Sequence, residues 1–167
     1  MGEHGGAHRA IGEATLTLVL ILALAVAMIV VERLWPAHEW PEVRAWWGRV
    51  IFVNVIQLGI VVLAGQTWDR WLNSASLFHL RDHLGTGGQA AVAYLVSTFV
   101  YYGWHRFRHE SAWFWRVCHQ LHHSPRRLEV VTSFYKHPFE IFLNSLISAT
   151  LVYAVLGCSI EAGAIYT

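Results

Sequence analysis

The chain has 167 residues, enough for one domain of ordinary size. Its composition is 55% hydrophobic and only 14% charged, against about 25% charged residues in a soluble domain, which excludes an ordinary water-soluble protein and points to an integral membrane protein. The formal net charge of +1 names no anionic partner, and no nucleic-acid partner is expected.

Residues 1–13 are polar and glycine-rich and read as a tail preceding a single membrane domain, 14–167. His4 and His8 fall among glycines that disfavour a helix, so their i, i+4 spacing reads as incidental. Residues 14–31 are uncharged and mostly apolar, about one bilayer crossing. A cleaved signal peptide fits less well, because the positive leader is weak and the apolar run is long. Residues 32–49 form a juxtamembrane connection punctuated by Pro36 and Pro41, with Trp35, Trp40, Trp46 and Trp47 suited to the headgroup level. His38 reads as a surface residue.

Residues 50–65 are a second apolar segment. Asn54 and Gln57, polar and three apart, are expected to face other helices, with substrate contact as the alternative. Residues 66–88 are too polar to span, and Ala75 to Leu84 suits the interface. His79 and His83 repeat the i, i+4 spacing without a third clustered partner and read as a solvated face. Residues 89–104 form a third apolar segment and 139–157 a fourth, with Pro138 placed to open its first turn. The fold class expected is therefore all-α, with about four transmembrane helices plus short cytoplasmic helices. With four crossings, nine arginines and lysines lie after the first and third segments and three on the opposite side. The positive-inside rule then puts residues 105–137 in the cytoplasm and the amino terminus outside.

Six of the eleven histidines fall between Thr98 and Glu140. His105 and His109 are spaced i, i+4; His119, His122 and His123 are spaced i, i+3, i+4; His137 follows. On a helix each set lies on one face and can aim imidazoles at one point. Imidazole is a common ligand for zinc, copper, iron and nickel. From His105 to His119 a continuous helix would stretch roughly 21 Å, too far for one metal centre. The chain must break between the sets, and Ser111 is the natural cap for the second helix. Cys118 and Cys158 are too few for a disulfide framework and read as packing residues, a Cys118 thiolate ligand being the alternative. Headgroup binding by basic residues would account for Arg126 and Arg127 but not for the histidine register. More histidines than one tetrahedral ion needs leave room for two metals, and neutral imidazoles suit divalent iron.

The runs WHRFRHE, HQLHHS and YKHPFE resemble the fatty acid hydroxylase/sterol desaturase superfamily, whose members are membrane non-haem di-iron enzymes with HxxxH and HxxHH boxes. The likeness covers residues 46–167. It implies that His105, His109, His119, His122 and His123 are metal ligands, with His137 as a sixth ligand or a supporting group. It implies two iron ions, with zinc as a substitute. It implies a lipid substrate, fatty-acyl or sterol-like, with O2 as co-substrate. Reducing equivalents would come from NAD(P)H through an electron-donor protein. The sequence departs from the family at Thr98, where a carboxylate often stands seven residues before the first histidine. It also lacks a third histidine box after His137, so the chain is expected to be the amino-terminal part of a member or a shortened relative. Two ions, one or none remain open on that count. The rival expectation is a catalytically incomplete membrane subunit of a larger assembly.

Overall fold

The computed structural model describes residues 19, 23–36, 39–74 and 76–166. The expected tail, most of the first apolar segment, and His4, His8 and His38 lie outside the described residues. The protein is helical, with no strand among the described residues. It divides into two compact units.

The smaller unit joins the amino-terminal region to residues 126–133. Helix α1, residues 23–34, exposes Leu24, Val26, Met28, Val30 and Leu34. Its carboxyl end is tied down by charge. Both Glu32 carboxylate oxygens accept the Val130 N–H at 3.1 Å. Buried Glu129 pairs with Arg33 and with Arg127, and Thr132 Oγ1 caps the Glu129 N–H at 3.1 Å.

The larger unit holds α2 (Trp46–Gln66), α3 (Trp68–Leu72), α4 (Leu80–His83), α5 (Thr86–Glu110), α6 (Ala112–Phe114), α7 (Gln120–His122), α8 (Pro138–Ala149) and α9 (Ile160–Tyr166). A π-helical turn, Trp115–His119, joins α6 to α7, and a second, Thr150–Val155, extends α8. Its core is built on small residues that let helices approach closely. Ala93 of α5 and Ala162 of α9 are fully buried, with Ala149, Val152, Tyr153, Leu156 and Cys158 around them. Buried Gln89 stitches the same face, accepting the Ser159 N–H at 2.8 Å and donating to the Leu84 carbonyl at 2.7 Å. Asn54 donates to the Val50 carbonyl of its own helix at 2.8 Å, whereas Gln57 turns to a cavity between helices.

Two stretches are long and apolar enough to cross a membrane, Trp46–Leu72 and Pro138–Val155. Only 17% of the first one's most apolar window is buried, and 28% of the second one's. Among the described residues the expectation of four crossings therefore reduces to two candidates. The described part of α1 is about 18 Å long, short of the ~30 Å hydrocarbon layer. Helix α5 is long enough, but Gln89, Ser97, Thr98 and the Tyr101–Trp104 run dilute its apolar character, and it ends in Arg106, Arg108 and Glu110.

The last carbonyls of the second π-helical stretch would be orphaned at a helix end. Instead the segment from Leu77 to Arg81 donates its N–H groups to the carbonyls of Ala154, Val155, Leu156 and Gly157 at 2.9 to 3.1 Å. Gly157 makes this possible with φ of 72°. A Cβ there would sit 2.7 Å from Ser76 Cβ and 2.9 Å from the His79 backbone. Gly157→Ala is accordingly expected to destabilise the bundle by roughly 1–3 kcal/mol, read as a lowered thermal midpoint in detergent. An unchanged midpoint would show that this junction relaxes freely.

Candidate metal centre

Helix α5 ends at Glu110, and Ser111 leaves helical geometry with φ −87° and ψ 110°. Its hydroxyl accepts the Phe114 N–H at 3.4 Å and so caps the next helix. The chain thereby turns back on α5, and the two histidine sets meet. One nitrogen from each of His105, His109, His119 and His123 lies within 4.8 Å of the others. The Nε2 atoms of His105 and His109 are 3.0 Å apart, those of His119 and His123 3.1 Å, and those of His109 and His119 3.3 Å.

The six sequence candidates do not all converge. His122 is turned toward the Tyr135 carbonyl, with Nδ1 3.4 Å from it. His137 is the cap of α8, its Nδ1 accepting the Phe139 N–H at 3.2 Å, and Pro138 opens that helix. Cys118 is buried and its Sγ donates to the Phe114 carbonyl, outside the cluster. His79 meets Ser76 Oγ at 2.7 Å through Nδ1, and neither it nor His83 belongs to the cluster.

Two residues that spacing did not single out brace the centre. Glu140, in the first turn of α8, is fully buried and its oxygens lie 3.2 and 3.3 Å from His119 Nδ1. Arg108 is 4% exposed and pairs with the same carboxylate. Their signal in the sequence was a carboxylate inside an apolar segment, a position where charge is kept only with a partner. The pairing fixes proton positions. The carboxylate accepts from His119 Nδ1, so His119 Nε2 carries a lone pair into the cluster. Arg108 can only donate, so its contact of 3.1 Å to His105 Nδ1 leaves the proton of neutral His105 on Nε2, facing His109.

Burial pushes the His119 imidazole down to about 3 and His105 to about 4, the Arg108 charge adding to both effects. Burial also lowers His122 and His123. Neutral imidazole is the form that binds metal. The same shifts predict how the metal-free protein responds to acid. An unfolded histidine takes up its proton near pH 6.5. Folded His119 and His105 refuse it until about 3 and 4. The unfolded state therefore binds more protons in between, and stability is present above about pH 6.5 and lost as pH falls toward those values. Thermal midpoints measured from pH 7.5 down to 4.5 should fall steadily below about 6.5; a flat profile would refute burial of these rings.

The donor set fits a divalent transition metal, in that nitrogens converge on one point and a buried carboxylate orients the most enclosed ring. His105 would join through Nε2 only after its proton moves to Nδ1 and Arg108 gives up that contact. Trp115 flanks the group, its ring 5.4 Å from His109 and 5.6 Å from His123. One helical turn before His105, Tyr101 lines a cavity of about 500 Å³ between α2, α5, α8 and α9. Ile141, next to Glu140, lines it too.

A helical protein with apolar helices of membrane-spanning length and a histidine cluster that could hold metal is the class these observations define. Residues 90–167, which contain every residue of the cluster, match the fatty acid hydroxylase family. The chain is 32% identical over 63 residues to a cholesterol 25-hydroxylase-like protein of Caenorhabditis briggsae and 30% identical over 63 residues to one of Caenorhabditis elegans. Each alignment covers 38% of this chain and 21% of the relative, so the chain spans about a fifth of the length of the relatives it matches. No solved structure matches. The matched stretch is thus similar to the fatty acid hydroxylase family and to these two relatives.

Proposed function

We propose that the chain forms the histidine-ligated, non-haem iron site of a membrane-bound oxygenase that hydroxylates or desaturates a lipid. The observation that carries this reading is the convergence of His105, His109, His119 and His123 within 4.8 Å, braced by buried Glu140, inside the stretch that matches the family. Iron bound there would supply activation of O2 for attack on an unactivated C–H bond. His105, His109, His119 and His123 would hold the metal, with His122 and His137 as outer members of the same constellation. Glu140 keeps the proton on His119 Nδ1, Trp115 shields one edge, and the neighbouring cavity holds the lipid. The cluster lies on the cytoplasmic side, where an electron-donor protein can reach it, and the amino terminus lies outside. A fatty-acyl or sterol-like substrate suits the cavity, and two irons suit the family.

A second reading has its own observation. Four converging rings match the needs of one ion better than two. On that reading the chain is a scaffold subunit, poor in metal, within a larger assembly. One experiment separates them. Full-length protein is expressed with iron, purified, assayed for metal, and incubated with lipid extract, O2 and a reductase system. Iron near two per chain with an oxygenated or desaturated lipid supports the oxygenase. Well-folded protein that holds iron and leaves every lipid unchanged would overturn it.

A further inference from the structure

The loop between α3 and α4 is held beside the end of an apolar helix rather than beyond it. Leu77 and Phe78 donate their N–H groups to the carbonyls of Ala154 and Val155 at 2.9 Å, and Leu80 and Arg81 donate to Leu156 and Gly157 at 3.0 and 3.1 Å. Ala154 and Val155 are the last two residues of the apolar stretch Pro138–Val155. Leu77 and Phe78 therefore lie at the level of its final turn. The Arg81 side chain brings the other apolar stretch to the same level. Its Nε donates to the Gly157 carbonyl at 3.1 Å and its Nη2 to the Asn73 carbonyl at 2.9 Å. Asn73 stands one residue past Trp46–Leu72, and Gly157 two residues past Pro138–Val155. One guanidinium thus ties both ends together, and a plane through it closes both apolar stretches. On the apolar side of that plane Trp71, Leu77 and Phe78 are 71%, 69% and 59% exposed.

We propose that the Leu77 and Phe78 side chains insert among the acyl chains of one bilayer leaflet, as an anchor at the opposite end of α8 and its π-helical extension from the metal centre. The proposal rests on the membrane setting of the reading above and not on its iron chemistry. At the edge of the hydrocarbon layer, non-helical backbone is tolerated where the protein itself satisfies its polar groups. This loop meets that condition at Leu77, Phe78, Leu80 and Arg81, whose N–H groups all reach carbonyls of the bundle. His79 then turns the chain into α4 with φ of 49°, a left-handed conformation that costs energy and that the surrounding bonds hold. A loop so tied keeps its two large apolar side chains outward. Charge follows the same boundary. Arg81 lies at the plane, Asp82 and His83 are exposed just past it, and exposed Arg70 has a stem long enough to reach headgroups. The exposed face of α2, with Leu58, Val62 and Leu63, has the same apolar chemistry, so one lipid solvent covers both. From Glu140 to Val155 is fifteen residues, roughly 22 Å of helix. The anchor thereby sets the depth of α8, and with it the height at which Glu140 meets the histidines.

The test uses full-length protein in phosphatidylcholine nanodiscs, with an environment-sensitive fluorophore on one introduced cysteine: Leu77→Cys, Phe78→Cys, Leu58→Cys or Asp82→Cys. Cys118 and Cys158 are buried, and wild-type protein carried through the same labelling reads their background. Iodide quenches from water, and a phosphatidylcholine bearing a nitroxide on its acyl chain quenches from the leaflet. The Leu77→Cys and Phe78→Cys labels are expected to match Leu58→Cys, with iodide quenching at least about threefold weaker than for Asp82→Cys and strong quenching by the nitroxide lipid. If they match Asp82→Cys while Leu58→Cys reads as lipid, the anchor is refuted and the membrane setting stands. If Leu58→Cys also reads as water, both fall. Labels shielded from both quenchers would overturn the proposal in favour of a protein contact. Unmodified protein gives a second reading that needs no variant. A phosphatidylcholine with a photoactivatable diazirine near the head of its acyl chain should leave adducts on Leu77 or Phe78, and adducts confined to α2 would sink the idea.

Discussion

His119→Ala should abolish stoichiometric binding of iron(II), with affinity falling by roughly 100-fold or more, because loss of a mere supporting group already costs about 10–100-fold. His119 is the fully buried member of the cluster and the one whose lone pair is aimed by a carboxylate. His109→Ala should bring a comparable loss with little cost to folding, since that ring is exposed at the cluster's open edge. The two variants together separate ligation from packing. His137→Ala provides the contrast. Its Nδ1 caps α8 through the Phe139 N–H, so its removal should cost about 1 kcal/mol of stability and leave metal affinity nearly unchanged. Titration of each purified variant with iron(II) under anaerobic conditions, with total metal measured on the same samples, reads the order. Equal losses from His137→Ala and His119→Ala would refute the four-histidine centre.

That order is not legible from spacing alone, and the reason is physical. The i, i+3, i+4 pattern of His119, His122 and His123 assumes a regular α-helix. The protein places a π-helical turn over Trp115–His119, so the first histidine of the pattern is the last residue of that turn. A π turn adds a residue to the turn and rotates the helix beyond it, and such turns gather at functional sites. His119 and His123 keep their contact, while His122 swings to the Tyr135 carbonyl. By contrast, the bend at Ser111 and the opening of α8 at Pro138 are legible, because capping and the missing proline N–H act within a few residues. Arg108 and Glu140 escape a reading by spacing because they meet across 32 residues of chain. Local periodicity carries no signal for such a pair. The excess of expected crossings has a similar source. Each apolar run taken by itself suggests a span, yet α5 mixes its apolar residues with the tyrosines, serine and glutamine that build the core and the cavity.

Glu140→Gln tests the support beneath the centre and should damage both stability and metal affinity. The carboxylate serves two buried groups at once, the Arg108 guanidinium and His119 Nδ1–H. With a neutral amide in its place, Arg108 remains as a buried, unpaired cation, a change expected to cost about 3–5 kcal/mol. The exposed pair Arg106–Glu110, 66% and 61% exposed, provides the control. Glu110→Gln should cost no more than about 1 kcal/mol, because water screens that pair in either state. Metal affinity should obey a separate logic. The amide oxygen can still accept from His119, but a neutral acceptor makes the ring less basic and holds it less firmly, so a loss of about 10–100-fold is expected. Adding Arg108→Leu to Glu140→Gln removes the stranded charge and should recover much of the stability without recovering the metal affinity. That divergence is the decisive outcome. If the double variant regained iron(II) binding along with its thermal midpoint, Glu140 would be a folding residue with no bearing on the centre. If neither variant altered either property, the Arg108–Glu140–His119 chain would not exist in the protein as it folds in a membrane.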